Sequence, residues 1–211
     1  MNTHHFAPTI LRAYDIRGTY QDTLTEIDAH AIGMAFVACL RDRGHGVTIA
    51  VGRDGRLSSP ALAVALIDGL VTAGGRVLDI GCGPTPMLYF AGTTLKCDGA
   101  IQVTGSHNPP THNGFKIVMN GRSFFGDDIQ QLGAISEAGV MPVDGGNVTQ
   151  TAVFESYVTR LLQKADAGDL SVVWDCGNGA AGPATAAIVE KLSGKHKVLF
   201  AEVDGHFPNH H

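Results

Sequence analysis

The stretch DGAIQVTGSHNPPTHNGFKIVMNG, residues 98–121, decides how the rest of the chain is read. Ala100, Ile101, Gln102 and Val103 predict a short buried strand, and residues 104–110 halt it with types that cannot continue a ladder. Ser106 therefore falls at the carboxyl end of a strand, on a stiff turn. Pro109 and Pro110 each hold φ at about −65° and lack an N–H, while Gly105 opens backbone angles closed to other residues. A hydroxyl presented on so rigid a loop suits a phosphate carrier or a nucleophile, because attack on phosphorus depends mainly on positioning and electrostatics. His107 and Lys116 are cations within reach along the chain. The plainer alternative is that Ser-His and Pro-Pro are ordinary turn residues, and adjacency alone does not make Ser106 and His107 a base-activated pair.

Working outward, residues 115–119 and 122–125 predict a hairpin about Asn120-Gly121, the preferred two-residue turn. Lys116 lies at its root between apolar Phe115 and Ile117. It is either a partly desolvated ammonium suited to proton transfer or a strand lysine facing solvent. Toward the amino terminus, Thr25 and Asp28 form a capping-box-like start to a helix running to about Arg43, with Ile27, Ala31, Ala35, Ala38 and Cys39 at helical spacing. Residues 47–51 form a strand that runs into Gly52-Arg53-Asp54-Gly55-Arg56-Leu57-Ser58-Ser59-Pro60. Ser59 is placed to cap the helix 61–73, whose face carries Leu62, Ala65, Leu66 and Gly69, with Pro60 at its first position. The Arg-Asp group is read as a network bracing the loop rather than as catalytic. A third strand over 76–80, a turn at 81–84 and a helix over 85–95 follow. Strands alternating with helices imply parallel pairing through right-handed crossovers, and ligands then gather at the carboxyl ends of the strands. The loops after Val51 and Val103 can thus share one edge.

Residues 127–138 are helix-like, and 139–151 (GVMPVDGGNVTQT) is polar, glycine-rich and without periodicity, the best domain boundary. A helix over 152–165 follows, with Phe154, Tyr157, Val158, Leu161 and Leu162 on its inner face. After a strand over 171–175 comes Gly177-Asn178-Gly179-Ala180-Ala181-Gly182, which fits G-x-G-x-x-G. Glu202, about 20 residues on and expected at the end of the next strand, completes a weak dinucleotide signal.

With 211 residues the chain has room for one large domain or two ordinary ones. Hydrophobic residues at 44% and 27 glycines suit a soluble α/β protein with many tight loops. A net charge of −5 and no basic stripe argue against a nucleic-acid partner, although a few cations in one cleft suffice for a small phosphorylated ligand. Cys39, Cys82, Cys97 and Cys176 have no zinc spacing and are read as buried thiols of a reducing compartment. No signal peptide is evident and no apolar run approaches the roughly 20 residues that span a bilayer, so the cytoplasm is the expected location and no membrane partner is expected.

Arg12-Ala13-Tyr14-Asp15-Ile16-Arg17-Gly18 sets two guanidiniums and a phenol around a turn, which is either a phosphate-contacting group or a solvated strand end. Here resemblance decides. T-G-S-H-N-P-P followed by N-G-F-K resembles the phosphoserine loop of the α-D-phosphohexomutases. Ala-Tyr-Asp-Ile-Arg-Gly resembles the opening motif of their phosphomannomutase/phosphoglucomutase branch, where relatives acting on glucosamine phosphate show Thr-Asp-Gly-Ile-Arg-Gly. The Gly-Arg-Asp-x-Arg-x-Ser-Ser pattern and the Asp-x-Gly-Asn-Gly loop at Asp175 also occur in that family.

The resemblance implies an α/β fold, with a mixed, largely parallel sheet flanked by helices in a first domain (1–139), a linker (140–151) and an incomplete second α/β domain (152–211). It implies reversible conversion of hexose 1-phosphate to hexose 6-phosphate, mannose and/or glucose, through phospho-Ser106 and a bisphosphorylated sugar. Lys116 and His107 become candidates for proton transfer, Arg17 for phosphate-charge stabilisation, and Tyr14, Arg17, Asn108 and Lys116 for substrate binding, with Asn108 orienting the loop. It implies one Mg²⁺ bound through the phosphate on Ser106 and a hexose 1,6-bisphosphate activator. The acidic D-x-D-x-D-R loop, the sugar-selecting domain and the phosphate clamp of the family are not found here: Asp127-Asp128 and Asp204 lack the alternation. The chain therefore looks like the amino-terminal part of such an enzyme, with the remaining domains as its partner. Its last two residues, His210 and His211, are read as native sequence rather than a tag. A nucleotide-binding module built on Gly177 to Gly182 and a non-catalytic structural fragment are the competing readings.

Overall fold

A computed structural model describes residues 2–209; the reading of His210 and His211 lies outside them. Seven strands form one sheet in the order β1-β5-β4-β2-β3-β7, with β6 on the outer part of β5. β2 (Thr48–Arg53), β3 (Arg76–Cys82), β4 (Gly99–Val103) and β7 (Asn147–Gln150) are mutually parallel. β5 (His112–Met119) runs antiparallel to β4, β1 (Ile16–Thr19) and β6 (Arg122–Ser123). The sheet is thus mixed and largely parallel.

Burial explains the strand sequences. Ile49, Val51, Ile101, Val103, Phe115 and Ile117 face α1 (Glu26–Asp42), α2 (Ser59–Thr72) and α4 (Asp127–Ala138), packing with Phe36, Leu40, Leu66 and Leu132. The alternate residues Ala50 and Ala100 face α3 (Thr85–Thr94) and meet Met87, Leu88 and Ala91, with Tyr157 of α5 (Phe154–Leu162) beyond. β4 is buried along its whole length, as a strand covered on both faces must be. Each fully enclosed side chain such as Phe36 or Phe115 contributes about 1.5–3 kcal/mol.

The capping box at Thr25 and Asp28 forms, although Ile27, the first of the residues at helical spacing, is 69% exposed. The hairpin turns at Asn120 and Gly121, whose φ values of 48° and 71° are the two positive angles such a turn demands. Its second strand is only Arg122–Ser123; beyond it the Phe124 amide still donates to the Ile117 carbonyl at 3.0 Å while the ring packs edge-on against Phe36. Ser59 does not cap α2. Ser58 holds the cap position without a side-chain bond to the helix's amides, and Ser59 Oγ donates instead to Asp54. The polar segment 139–151 contains β7, which extends the sheet beside β3, so part of the expected linker belongs to the sheet.

The remaining elements are α5, β8 (Ser171–Asp175), α6 (Gly182–Val189) and β9 (Lys195–Leu199), with β8 and β9 forming a two-stranded parallel sheet. α5 is shorter than its periodicity predicts, and Leu161 is 40% exposed rather than inward, because this helix packs mainly toward α3 and α6. β9 ends at Leu199, three residues short of Glu202. Among the cysteines only Cys39 is buried, and Cys82 is exposed at the end of β3, against the expectation of four buried thiols. No helix among the described residues is long and apolar enough to cross a membrane.

Candidate functional site

β2 and β4 are adjacent and parallel, so the loops that follow them leave the same edge of the sheet. Asp54, the first residue past β2, ties the two together. Its Oδ2 accepts from Thr104 Oγ1 at 2.8 Å, the Gly105 amide at 3.1 Å and Arg56 Nε at 3.2 Å. Its Oδ1 accepts from the Arg56 amide at 3.1 Å and from Ser59 Oγ. Asn113, fully buried on β5, donates from Nδ2 to Ser58 Oγ at 2.8 Å and Ser59 Oγ at 2.9 Å.

Arg56 is 3% exposed. Nη1 donates to the carbonyls of Pro109 at 2.6 Å and His112 at 3.1 Å, and Nη2 to those of Ser106 at 2.9 Å and Asn108 at 2.7 Å. Burial lowers its pKa from the ordinary guanidinium range while the Asp54 carboxylate pulls it back up. The bracing network expected from the sequence is present, and it grips the serine loop itself. Gly105 is required here because a Cβ on it would collide with the Arg56 guanidinium and the His112 carbonyl.

Ser106 stands exposed above this clamp with φ of 54°. A non-glycine residue in the left-handed region costs about 1–3 kcal/mol and persists only where its surroundings over-determine it. The Ser106 amide donates to Thr104 Oγ1 at 2.9 Å, and Ser106 Oγ lies 3.3 Å from His107 Nδ1. Asn108 donates to the Gly105 carbonyl through both its amide and Nδ2, at 3.1 Å each, which is a loop-orienting contact.

Arg17 lies beneath the loop. It is 3% exposed, donating from Nη1 to the Gly105 carbonyl and from Nη2 to Asp15. Its Nε is buried with no partner among the described residues. Tyr14, 83% exposed, and half-buried Lys116 share a depression of about 370 Å³ with Tyr89, Phe124 and Phe125. Ser106 lines a separate depression of about 200 Å³ with Asp54, Thr85, Thr104 and Phe207. The structure thus gathers Ser106, His107, Asn108 and Arg17 into one loop assembly. Tyr14 and Lys116 lie in a neighbouring hollow, Lys116 being paired across the sheet with Gln102 of β4.

The sequence reading missed the four carbonyls under Arg56, the buried polar Asn113, and Phe207, whose ring lies 5.3 Å from the Arg56 guanidinium carbon. Asn113 carried a usable signal, a polar residue inside an otherwise apolar strand. Phe207 carried none, being about 150 residues away in sequence from its partner.

Two other expectations meet the geometry here. In the Gly177 to Gly182 loop the amides of Gly177, Asn178, Gly179 and Gly182 donate to Asp175 Oδ1 and to the Phe200, Cys176 and Gly179 carbonyls, at 2.8–3.0 Å. A pyrophosphate cradle needs such donors free, so the nucleotide reading is not favoured. For magnesium, no three His, Cys, Asp or Glu side chains converge among the described residues. Asp54, the acid beside Ser106, is engaged by five protein donors.

Fold and site together define an α/β protein that presents a strained, clamped serine at the carboxyl edge of a mixed sheet. Residues 8–140 match the family described as phosphoglucomutase/phosphomannomutase, alpha/beta/alpha domain I. The chain is 44% identical over 210 residues to the phosphomannomutase/phosphoglucomutase of Pseudomonas aeruginosa, covering 97% of this chain and 45% of that protein. It is 41% identical over 206 residues to the phosphoglucomutase of Neisseria gonorrhoeae, covering 96% and 44%. A crystal structure of a phosphoglucomutase/phosphomannomutase family protein from Burkholderia thailandensis superposes with a TM-score of 0.89 at 41% identity, covering 98% of this chain and 47% of the other. This chain belongs to the phosphoglucomutase/phosphomannomutase family, and it spans about half the length of the curated relatives it matches.

Proposed function

We propose that this chain supplies the phosphoryl carrier of a cytoplasmic phosphohexomutase that interconverts hexose 1-phosphate and hexose 6-phosphate, acting with the remainder of the relatives' length. The observation that carries the reading is Ser106 itself, exposed at φ of 54° on a loop whose carbonyls are clamped from below. The bond between phosphorus and Ser106 Oγ breaks as a bond from phosphorus to the sugar's free hydroxyl oxygen forms. The hydroxyl proton passes to a base, and Oγ regains a proton. In the second half the bond between the bisphosphate's other phosphorus and its own sugar oxygen breaks as a new bond from that phosphorus to Ser106 Oγ forms; Oγ gives up its proton and the freed sugar oxygen takes one. His107 Nδ1, 3.3 Å from Oγ, suits the proton at the serine. Lys116 and Tyr14 suit the sugar side. Arg17 adds positive charge beneath the loop while holding the Gly105 carbonyl. A divalent cation and a hexose 1,6-bisphosphate activator belong to this proposal, phospho-Ser106 being the one cation ligand the chain would contribute.

The test is the intact mass of the purified protein. A gain of about 80 Da mapped to Ser106, the mass of one phosphoryl group, that disappears on incubation with a hexose phosphate supports the carrier. Phosphate confined to other residues, or stable to the sugar phosphate, overturns it.

A further inference from the structure

The loop that carries Ser106 has an unusual support. Arg56 has five N–H donors, and all five are engaged: Nε on Asp54, two on Nη1 to Pro109 and His112, two on Nη2 to Ser106 and Asn108. The four carbonyls belong to one turn of seven residues, 106–112. Phe207 lies over the same guanidinium, 5.3 Å from ring centroid to its central carbon. Phe207 is placed by the carboxy-terminal elements. Its amide donates to the Asp204 carbonyl and the Asp204 amide to the Asn178 carbonyl, each at 3.0 Å, and Gly205 sits against the backbone of Gly55 to Leu57.

We propose that Arg56 is the positioning residue of the Ser106 loop, and that Phe207 seats it, so that the setting of the serine depends on the docking of residues 203–207. The inference rests on the phosphohexomutase reading for its catalytic consequence only. A planar fork is needed because four carbonyls converge on one cation from different directions. A lysine ammonium keeps the charge but has three tetrahedral donors, so at least two of these five acceptor positions lose their partner. Charge alone therefore does not substitute for Arg56. Arg56 touches no reacting atom: it acts on Ser106 through that residue's own carbonyl and the carbonyls of Asn108, Pro109 and His112 that follow it.

The experiment uses the full-length protein with Arg56→Lys and, separately, Phe207→Leu, which removes the aromatic face without burying a new charge. Amide hydrogen exchange is read at Gly105, Ser106, Asn108 and His112, with Ile101 and Val103 of β4 as reference. Steady-state turnover is read with a hexose 1-phosphate. For Arg56→Lys we expect at least about tenfold faster loop exchange with β4 unchanged. We also expect kcat to fall roughly 10–100-fold with KM within about threefold, since a displacement on the order of 1 Å can cost that much rate. Phe207→Leu should move both readouts the same way by a smaller factor.

Loop exchange unchanged in Arg56→Lys overturns the inference. So does a loosened loop with kcat intact, or a rise in KM with kcat intact, which would make Arg56 a binding group instead. Unchanged exchange in Phe207→Leu overturns the seating role. A wild-type protein that turns over no hexose phosphate would sink the mutase reading, and the exchange data alone would then decide Arg56.

Discussion

At Ser106 the proposed carrier role and a positive φ fall on one residue, and the two can be separated by substitution. Ser106→Ala in the full-length protein should abolish hexose phosphate turnover while leaving the fold, because an exposed hydroxyl contributes little to packing. Retention of a substantial share of wild-type turnover would exclude Ser106 as carrier. Ser106→Gly removes the steric cost of φ at 54° and should be more stable than Ser106→Ala by about 1–2 kcal/mol in paired urea titrations. Equal midpoints would mean the loop relaxes when the side chain changes. Asp54 is the counterpart below. With Arg56 and Asp54 side chains only 2% and 15% exposed, Asp54→Ala leaves a buried cation unpaired, and a loss of about 3–5 kcal/mol is expected. A loss below 1 kcal/mol, measured the same way, would show that the loop carbonyls alone satisfy Arg56.

Between elements, the contrast lies in how completely each sheet is covered. β4 is buried throughout, whereas in the β8–β9 pair Val173 is 63% exposed and β8 alternates between exposed and half-buried residues. Parallel strands depend on cover over both faces, and segments with few buried apolar contacts open at low free energy. In the 211-residue chain, amides of β8 and β9 should therefore exchange at least about a hundredfold faster than those of β2 and β4. Equal protection across both sheets would show that α6 and the connecting loops suffice. The same region tests the glycine motif. Because its amides are already paired within the loop, NAD and NADP should produce no saturable heat in calorimetry. Micromolar binding weakened by Glu202→Ala would restore the nucleotide reading.

For the molecule as a whole, the 211-residue chain assayed alone should show no mutase turnover with glucose 1-phosphate or mannose 1-phosphate, even with Mg²⁺ and a bisphosphate. Its described residues hold the Ser106 loop, but among them no three His, Cys, Asp or Glu side chains converge. Loss of electrostatic stabilisation costs several kcal/mol of barrier, and loss of substrate positioning up to about 7–11 kcal/mol more. Turnover within about a hundredfold of that of a full-length relative would place both functions inside this chain.

Local chemistry wrote much of this protein legibly. Asp127–Ala138, the Thr25 capping box, the Asn120-Gly121 turn and the strand leading to Ser106 each follow from neighbouring residues, because periodicity, caps and turn angles act over a few positions. The sequence also determined the family, through motifs whose residue types stand in unbroken order. Long-range pairing decided the rest. A polar stretch became β7 because β3 offered an unpaired edge, and Ser59 abandoned a cap for the nearby Asp54 carboxylate. Arg17 is buried beneath the loop because β1 pairs with β5 there. That Arg56 holds four carbonyls and meets Phe207 depends on the loops after β2 and β4 of one sheet and the segment after β9 of the other meeting in space. No spacing along the chain encodes it, since hydrogen bonds and ring contacts are satisfied by proximity in space.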